Sequence, residues 1–153
     1  MGITADGMIY ITHAERFREG PAEVRRRIKN IADQDLCTIG LSEDPGQAGK
    51  ADYQSFTVLL QGYDIRKLRE TKDKETRALP LAAQAEAGNV HLLEGDWNED
   101  FLNEYSNFGN KGHDDQVDAG TGAYNILTQD NVGQFEEDMN EDSYDDTFKL
   151  SDW

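Results

Sequence analysis

The chain has 153 residues, enough for one domain, and its 31 acidic against 15 basic side chains give a formal net charge of -16. Such a charge repels nucleic acid unless it is gathered away from a binding face. No apolar run approaches the ~20 residues that cross a bilayer, and a lone cysteine, Cys37, excludes a disulfide framework and a multi-cysteine zinc site, so a soluble, unexported protein of a reducing cytosol is expected.

The first element is a hairpin. Asp6-Gly7 is a tight-turn pair preceded by only five residues, and Met8-Ile9-Tyr10-Ile11-Thr12 after it is rich in strand formers. Gly20-Pro21 then places proline in a first helical turn, and Val24, Ile28 and Ile31 follow at i, i+4 and i+7. That apolar stripe predicts a helix packed on a sheet, with Arg25, Arg26 and Lys29 mostly outward. Leu36 to Leu41 has the length and flanks of a buried strand that feeds the loop Ser42-Glu43-Asp44-Pro45-Gly46. Carboxylates are thereby placed at a strand's C-terminal end.

A helix from about Ala51 to Leu60 ends at Gly62, and Ile65 to Leu68 forms another short strand. Thr76 to Ala87 is an alanine-rich helix ending at Gly88, and Val90 to Leu93 is a strand. Trp97 to Phe108 sets Phe101, Leu102, Tyr105 and Phe108 along one helical face. A last helix spans Asp114 to Leu127. Strand and helix in turn after a hairpin predict an α/β fold, one mixed sheet flanked by helices. Residues 129 to 153 hold nine acids against Lys149 alone, a net of -8, with their few aromatics scattered among carboxylates. Such a segment buries too little apolar surface to offset the entropy of ordering, so a folded domain over 1–128 and an acidic disordered tail over 129–153 are expected.

The densest chemistry lies in Gly112-His113-Asp114-Asp115-Gln116-Val117-Asp118-Ala119. On a helix Asp115 and Asp118 are i and i+3 and share a face, while Asp114 suits an N-cap or first-turn position. By residue type the cluster reads either as a cap with solvated charge or as half of a magnesium or manganese site, with Glu43 and Asp44 as the other half or as mere turn residues. His113 is either a surface residue or a group that moves a proton or orients a phosphate. A paired-ion site of this kind suits phosphodiester hydrolysis.

Four stretches in order, Glu43-Asp44-Pro45-Gly46-Gln47-Ala48-Gly49-Lys50, then Lys74-Glu75-Thr76-Arg77-Ala78 with Pro80, then Gly95-Asp96-Trp97 with Phe101-Leu102, then His113 to Ala119, resemble the C-terminal nuclease domain of tailed-phage terminase large subunits over residues 6 to 127. The resemblance implies a ribonuclease H-like fold and an endonuclease, with magnesium or manganese, two ions in the complete site, cutting concatemeric viral DNA. Carried over, Asp44 matches the metal-binding carboxylate at the end of the central strand, with Glu43 the neighbouring alternative. Asp115 and Asp118 match the pair on the final helix, and Asp114 and His113 the rest of that motif. Lys50 belongs to the first matching stretch, and with Lys74 and Arg77 it makes the basic set expected to bind DNA. Ala78 to Gly88 matches the following helix, with Pro80 placed in its first turn.

Two departures from the family follow. The strand with an acidic residue that the family places before the Asp6-Gly7 hairpin is expected to be missing, and no Walker-type phosphate loop or motor domain is visible. The resemblance also implies double-stranded DNA, a terminase motor domain, a small terminase subunit and the portal as partners, in the cytoplasm of a bacterial host. Beside the enzyme reading stand a catalytically incomplete module that binds DNA or a packaging partner, and an acidic interaction protein that uses its tail.

Overall fold

The computed structural model of the chain describes residues 1–68, 73–110 and 112–141, from 130 onward as backbone only. The hairpin forms, with β1 (Gly2–Ile3) antiparallel to β2 (Ile9–Ile11) around a turn in which Gly7 adopts φ 87° and donates its N–H to the Thr4 carbonyl. The residues before the turn thus make a strand of their own, but a two-residue one that carries no carboxylate. α1 (Pro21–Asp35) begins with proline at its N-terminus as expected. Ala32 is its only buried residue, and the helix lies against α2 (Gln47–Leu59), with Arg25 over the Phe56 ring.

The expected strand from Leu36 shortens to β3 (Ile39–Ser42). Leu36 is the left-handed C-cap of α1 and is 76% exposed, and Cys37 is exposed as well. Capping the helix turns the chain through a φ of 48° and takes both residues out of any ladder. α2 starts a turn earlier than its apolar pattern indicated, directly after Gly46 at φ 112°. β4 (Ile65–Leu68) pairs parallel with β3 in register Ile39 to Ile65.

α3 (Lys74–Glu86) also begins earlier than expected, because Asp73 caps it: its side chain accepts from the Thr76 N–H at 2.8 Å, which also lowers the Asp73 carboxyl below its ordinary value. Pro80 therefore lies inside the helix and not in its first turn. β5 (Val90–Leu92) pairs parallel with β2, and α4 (Asn98–Ser106) follows. α5 (Asp115–Glu141) runs past Leu127 into the segment expected to be disordered; no proline interrupts residues 128 to 141, and Gln, Glu and Met there are adequate helix formers. The remainder of the acidic tail, 142–153, lies outside the described residues.

The single mixed sheet expected from the element order is divided. β1, β2 and β5 form one sheet, β3 and β4 a second, and no ladder joins them among the described residues. α5 spans both. Its Tyr124 packs with Ile9 of the first sheet and Leu81 of α3, while Gly122 meets Leu68 and Ile126 meets Gly40 on the second sheet. A Cβ on Gly122 would lie 2.6 Å from Leu68 Cδ1, and one on Gly40 2.7 Å from Ile126 Cδ1, so both glycines serve a close helix–sheet approach.

Candidate functional site

Two chain segments set the site. β3 ends at Ser42 and releases Asp44 at the sheet's edge, where the loop folds over α2. A Cβ on Gly49 would stand 2.2 Å from the Asp44 carbonyl oxygen, so only glycine lets the loop lie there. Gly49→Ala is expected to displace that loop and cost about 1–3 kcal/mol, the usual range for a forced overpacking, read from urea denaturation. An unchanged midpoint would mean that the loop yields freely.

The second segment is the start of α5. Its first N–H groups are met by a carboxylate from α4: Glu104, 7% exposed, accepts from the Gln116 N–H at 2.5 Å, the Val117 N–H at 3.3 Å and the Gln116 side-chain amide at 2.9 Å. Arg16 sits between this carboxylate, at 3.7 Å, and Asp115, at 3.9 Å. Burying an anion at a helix N-terminus is favourable because the unpaired N–H groups and the dipole both stabilise it. Tyr105, beside Glu104 on α4, has its phenol pushed well above its ordinary value by burial first and the neighbouring negative charge second. Glu104 escaped sequence reasoning. The signal was available, since it stands three residues after Phe101 and four before Phe108, a carboxylate on the apolar face of its helix.

A groove of about 770 Å³ lies along α5 between the two sheets. At one end it is lined by Ser42, Asp44, Lys74, Asp115 and Asp118. Lys74 joins the α5 carboxylates: its Nζ is 2.9 Å from Asp114 Oδ2 and 2.5 Å from Asp118 Oδ2. Hydrogen bonds to Asp118 first and Asp114 second hold the ammonium protonated well above lysine's ordinary range. Arg77, one turn along α3, donates to Asp118 Oδ1 at 3.3 Å and is only 12% exposed, so it is turned inward.

The remaining expected site residues lie elsewhere. Glu43 turns from the groove to Lys67 Nζ at 2.7 Å. Asp114 is bonded to Lys74 but does not line the groove, and His113 is exposed beside Arg18, 3.3 Å from its Nη2. Lys50 is exposed on α2. Asp44, Asp115 and Asp118 thus share one groove, yet among the described residues no three His, Cys, Asp or Glu side chains gather closely enough to hold a metal ion. A magnesium or manganese ion, which takes about six oxygen ligands in tight geometry, does not fit this set as it stands. The Lys74 ammonium supplies the positive charge between Asp114 and Asp118 instead.

Among the described residues no helix is long and apolar enough to cross a membrane. In comparisons with known proteins, the family model described as a terminase RNaseH-like domain matches residues 1–127. No curated protein and no solved structure matches the chain.

Proposed function

Because the chain belongs to the family of terminase RNaseH-like domains, we propose that it is the DNA-cutting domain of a phage packaging terminase, acting as an endonuclease on concatemeric viral DNA at the α5 groove. The observation that carries this reading is the convergence of Asp44 from one segment with Asp115 and Asp118 from another, about 70 residues away, on one groove beside a helix N-terminus. Lys74 gives that acidic end a positive component that suits a phosphate. Within this reading Asp44, Asp115 and Asp118 are the catalytic carboxylates and Lys74 the phosphate-facing cation, while Arg77 orients Asp118. His113, Glu43 and Asp114 form the rim, and Lys50 is a further contact to double-stranded DNA.

Divalent-metal dependence, with magnesium or manganese, belongs to a more complete ligand set than these three carboxylates provide. The terminase motor domain, the small subunit and the portal are the partners that such a role requires, in a bacterial host's cytoplasm. A second reading, a domain that binds DNA or a packaging partner without cutting, is favoured by Lys74 standing between carboxylates where a cation would be needed.

Nicking of supercoiled plasmid in manganese or magnesium separates the two. Cutting by the chain is expected to fall at least about a hundredfold in Asp118→Asn, as for loss of a general base or of a carboxylate that holds the metal. Plasmid binding without nicking in either ion would establish the second reading. Nicking that survives in Asp44→Asn, Asp115→Asn and Asp118→Asn alike would place the chemistry outside this groove.

A further inference from the structure

A second cleft, of about 350 Å³, meets the carboxylate groove at Asp118, and the two also share Ser42, Leu68 and Ile126. Their charges are opposite. The groove sets Lys74 against Asp44, Asp115 and Asp118, whereas the cleft sets Arg66, Lys67 and Arg77 against Asp118 alone. In a chain of 31 acids and 15 bases, that is a local excess of cations where the composition gives a deficit.

The strand and the helix that build the cleft decide which groups face it. Side chains alternate along β4, and Leu68 meets Gly122 of α5, so Arg66, two residues earlier, stands on the α5 side of the sheet. Lys67 stands on the other side, where its Nζ is 2.7 Å from Glu43 Oε2 and 5.3 Å from the centre of the Tyr53 ring. Arg77 donates to Asp118. Arg66 is the cation best placed for a ligand: its guanidinium is 41% exposed, and its contact with Asp64 is long at 3.4 Å. A guanidinium suits a phosphate diester, because its donors lie in one plane and its charge persists at any working pH.

Across from Arg66, α5 presents Asp118, Gly122 and Asn125 at i, i+4 and i+7, one face of the helix. Past the carboxylate that face is uncharged. The Asn125 amide can donate to phosphate or sugar oxygens and adds no repulsion. It lies about 10 Å along the axis from Asp118, about three steps of one DNA strand at a rise of roughly 3.4 Å per phosphate.

We propose that this cleft holds the DNA strand where it continues beyond the carboxylates, with Arg66 paired to a backbone phosphate about three nucleotides from Asp118 and Asn125 hydrogen-bonded to the same backbone. The inference rests on the reading that the α5 groove takes DNA, and it holds whether or not the strand is cut. Phosphate contacts position a duplex without reading its bases, so the cleft adds affinity and register but no sequence preference.

Filter binding of a labelled duplex of mixed sequence to the full chain, across a salt series, tests it. Each phosphate neutralised by a protein cation contributes about 0.9 to the slope of log affinity against log salt. Arg66→Ala is expected to lower affinity about fivefold at the low-salt end and to make the slope shallower by about 0.9, while Arg66→Lys keeps the slope. Asn125→Ala is expected to lower affinity about threefold with the slope unchanged, because a hydrogen bond is lost and no charge. Lys29→Ala removes the same charge from α1, where the ammonium is bound to Asp33 at 2.5 Å, and is expected to change neither affinity nor slope. A parent-like slope in Arg66→Ala, or an equal change in Lys29→Ala, overturns the cleft and leaves DNA binding at the groove standing. Absence of duplex binding by the full chain at every salt concentration overturns the groove reading and the cleft together.

Discussion

Glu104→Ala is expected to lower the stability of this chain by about 3–5 kcal/mol, the range for removing one partner of a buried charged network. The residue itself is costly to bury, but that cost is already offset in the native state by three hydrogen bonds. Truncation leaves the Gln116 and Val117 N–H groups and the buried Gln116 amide without their acceptor, each worth about 1–3 kcal/mol when stranded. Arg16 loses a partner as well, although at 3.7 Å that contact is the lesser term. Against a total stability of roughly 5–15 kcal/mol for a domain of this size, the loss is large. The buried core is thin, with Ile9 and Leu60 the largest side chains fully withdrawn from water.

Glu104→Gln keeps the shape and one acceptor oxygen and is expected to recover about half of the loss. Urea denaturation of the two variants decides it. A midpoint for Glu104→Ala within experimental error of the parent would show that water caps α5 as well as Glu104 does. Because Glu104 fixes the first turn of α5, the same variants also test its positioning role. If that end of the groove binds DNA as proposed, affinity is expected to change in both, and more in alanine than in glutamine.

Removing residues 129–153 is expected to strengthen DNA binding about tenfold at 20 mM salt and by less than about twofold at 150 mM. The segment carries a net of -8, half the charge of the chain, with nine acids and Lys149. At low ionic strength a Debye length of roughly 20–30 Å lets such a charge oppose an approaching phosphate backbone from well outside contact, whereas at 0.15 M the length is about 8 Å. The structure sharpens the salt dependence. α5 continues to Glu141, so the backbone of residues 129–141 is held along about 20 Å of helix leading away from the first turn of α5. Their effect is therefore one of distance and screening. Filter binding of the full chain and a 1–128 truncation across a salt series measures it, with Lys74→Ala as the control for the basic contact. Affinities that coincide at every salt concentration would show that the tail's charge is spent on something other than the DNA face.

The order of the elements and their kind follow from local signals in the chain. Asp6-Gly7, Gly20-Pro21 and Gly62 are local instructions, read from backbone freedom and fixed φ, and the structure follows each of them. Four strands after the first, and the helices between them, were legible in apolar runs and periodicity because those signals act within a few residues. The family was legible too, in four short stretches, and the match over residues 1–127 agrees.

Helix starts carry a weaker local signal: α2 and α3 begin earlier than their apolar patterns, because Gly46 and Asp73 set their first turns by backbone geometry and capping. That the sheet is split follows from long-range packing alone, since a strand's sequence states which face is apolar but not which edge finds a partner. The same packing turns Arg77 in to Asp118 and Glu43 away to Lys67, and sets Glu104 beneath the first turn of α5. These are contacts between residues 12 to 41 apart, and their energies depend on distance and burial that no local period encodes. The joint presence of Asp44, Asp115 and Asp118 on one groove has the same origin: α5 lies across both sheets, and its packing through Gly122, Tyr124 and Ile126 sets where its carboxylates face.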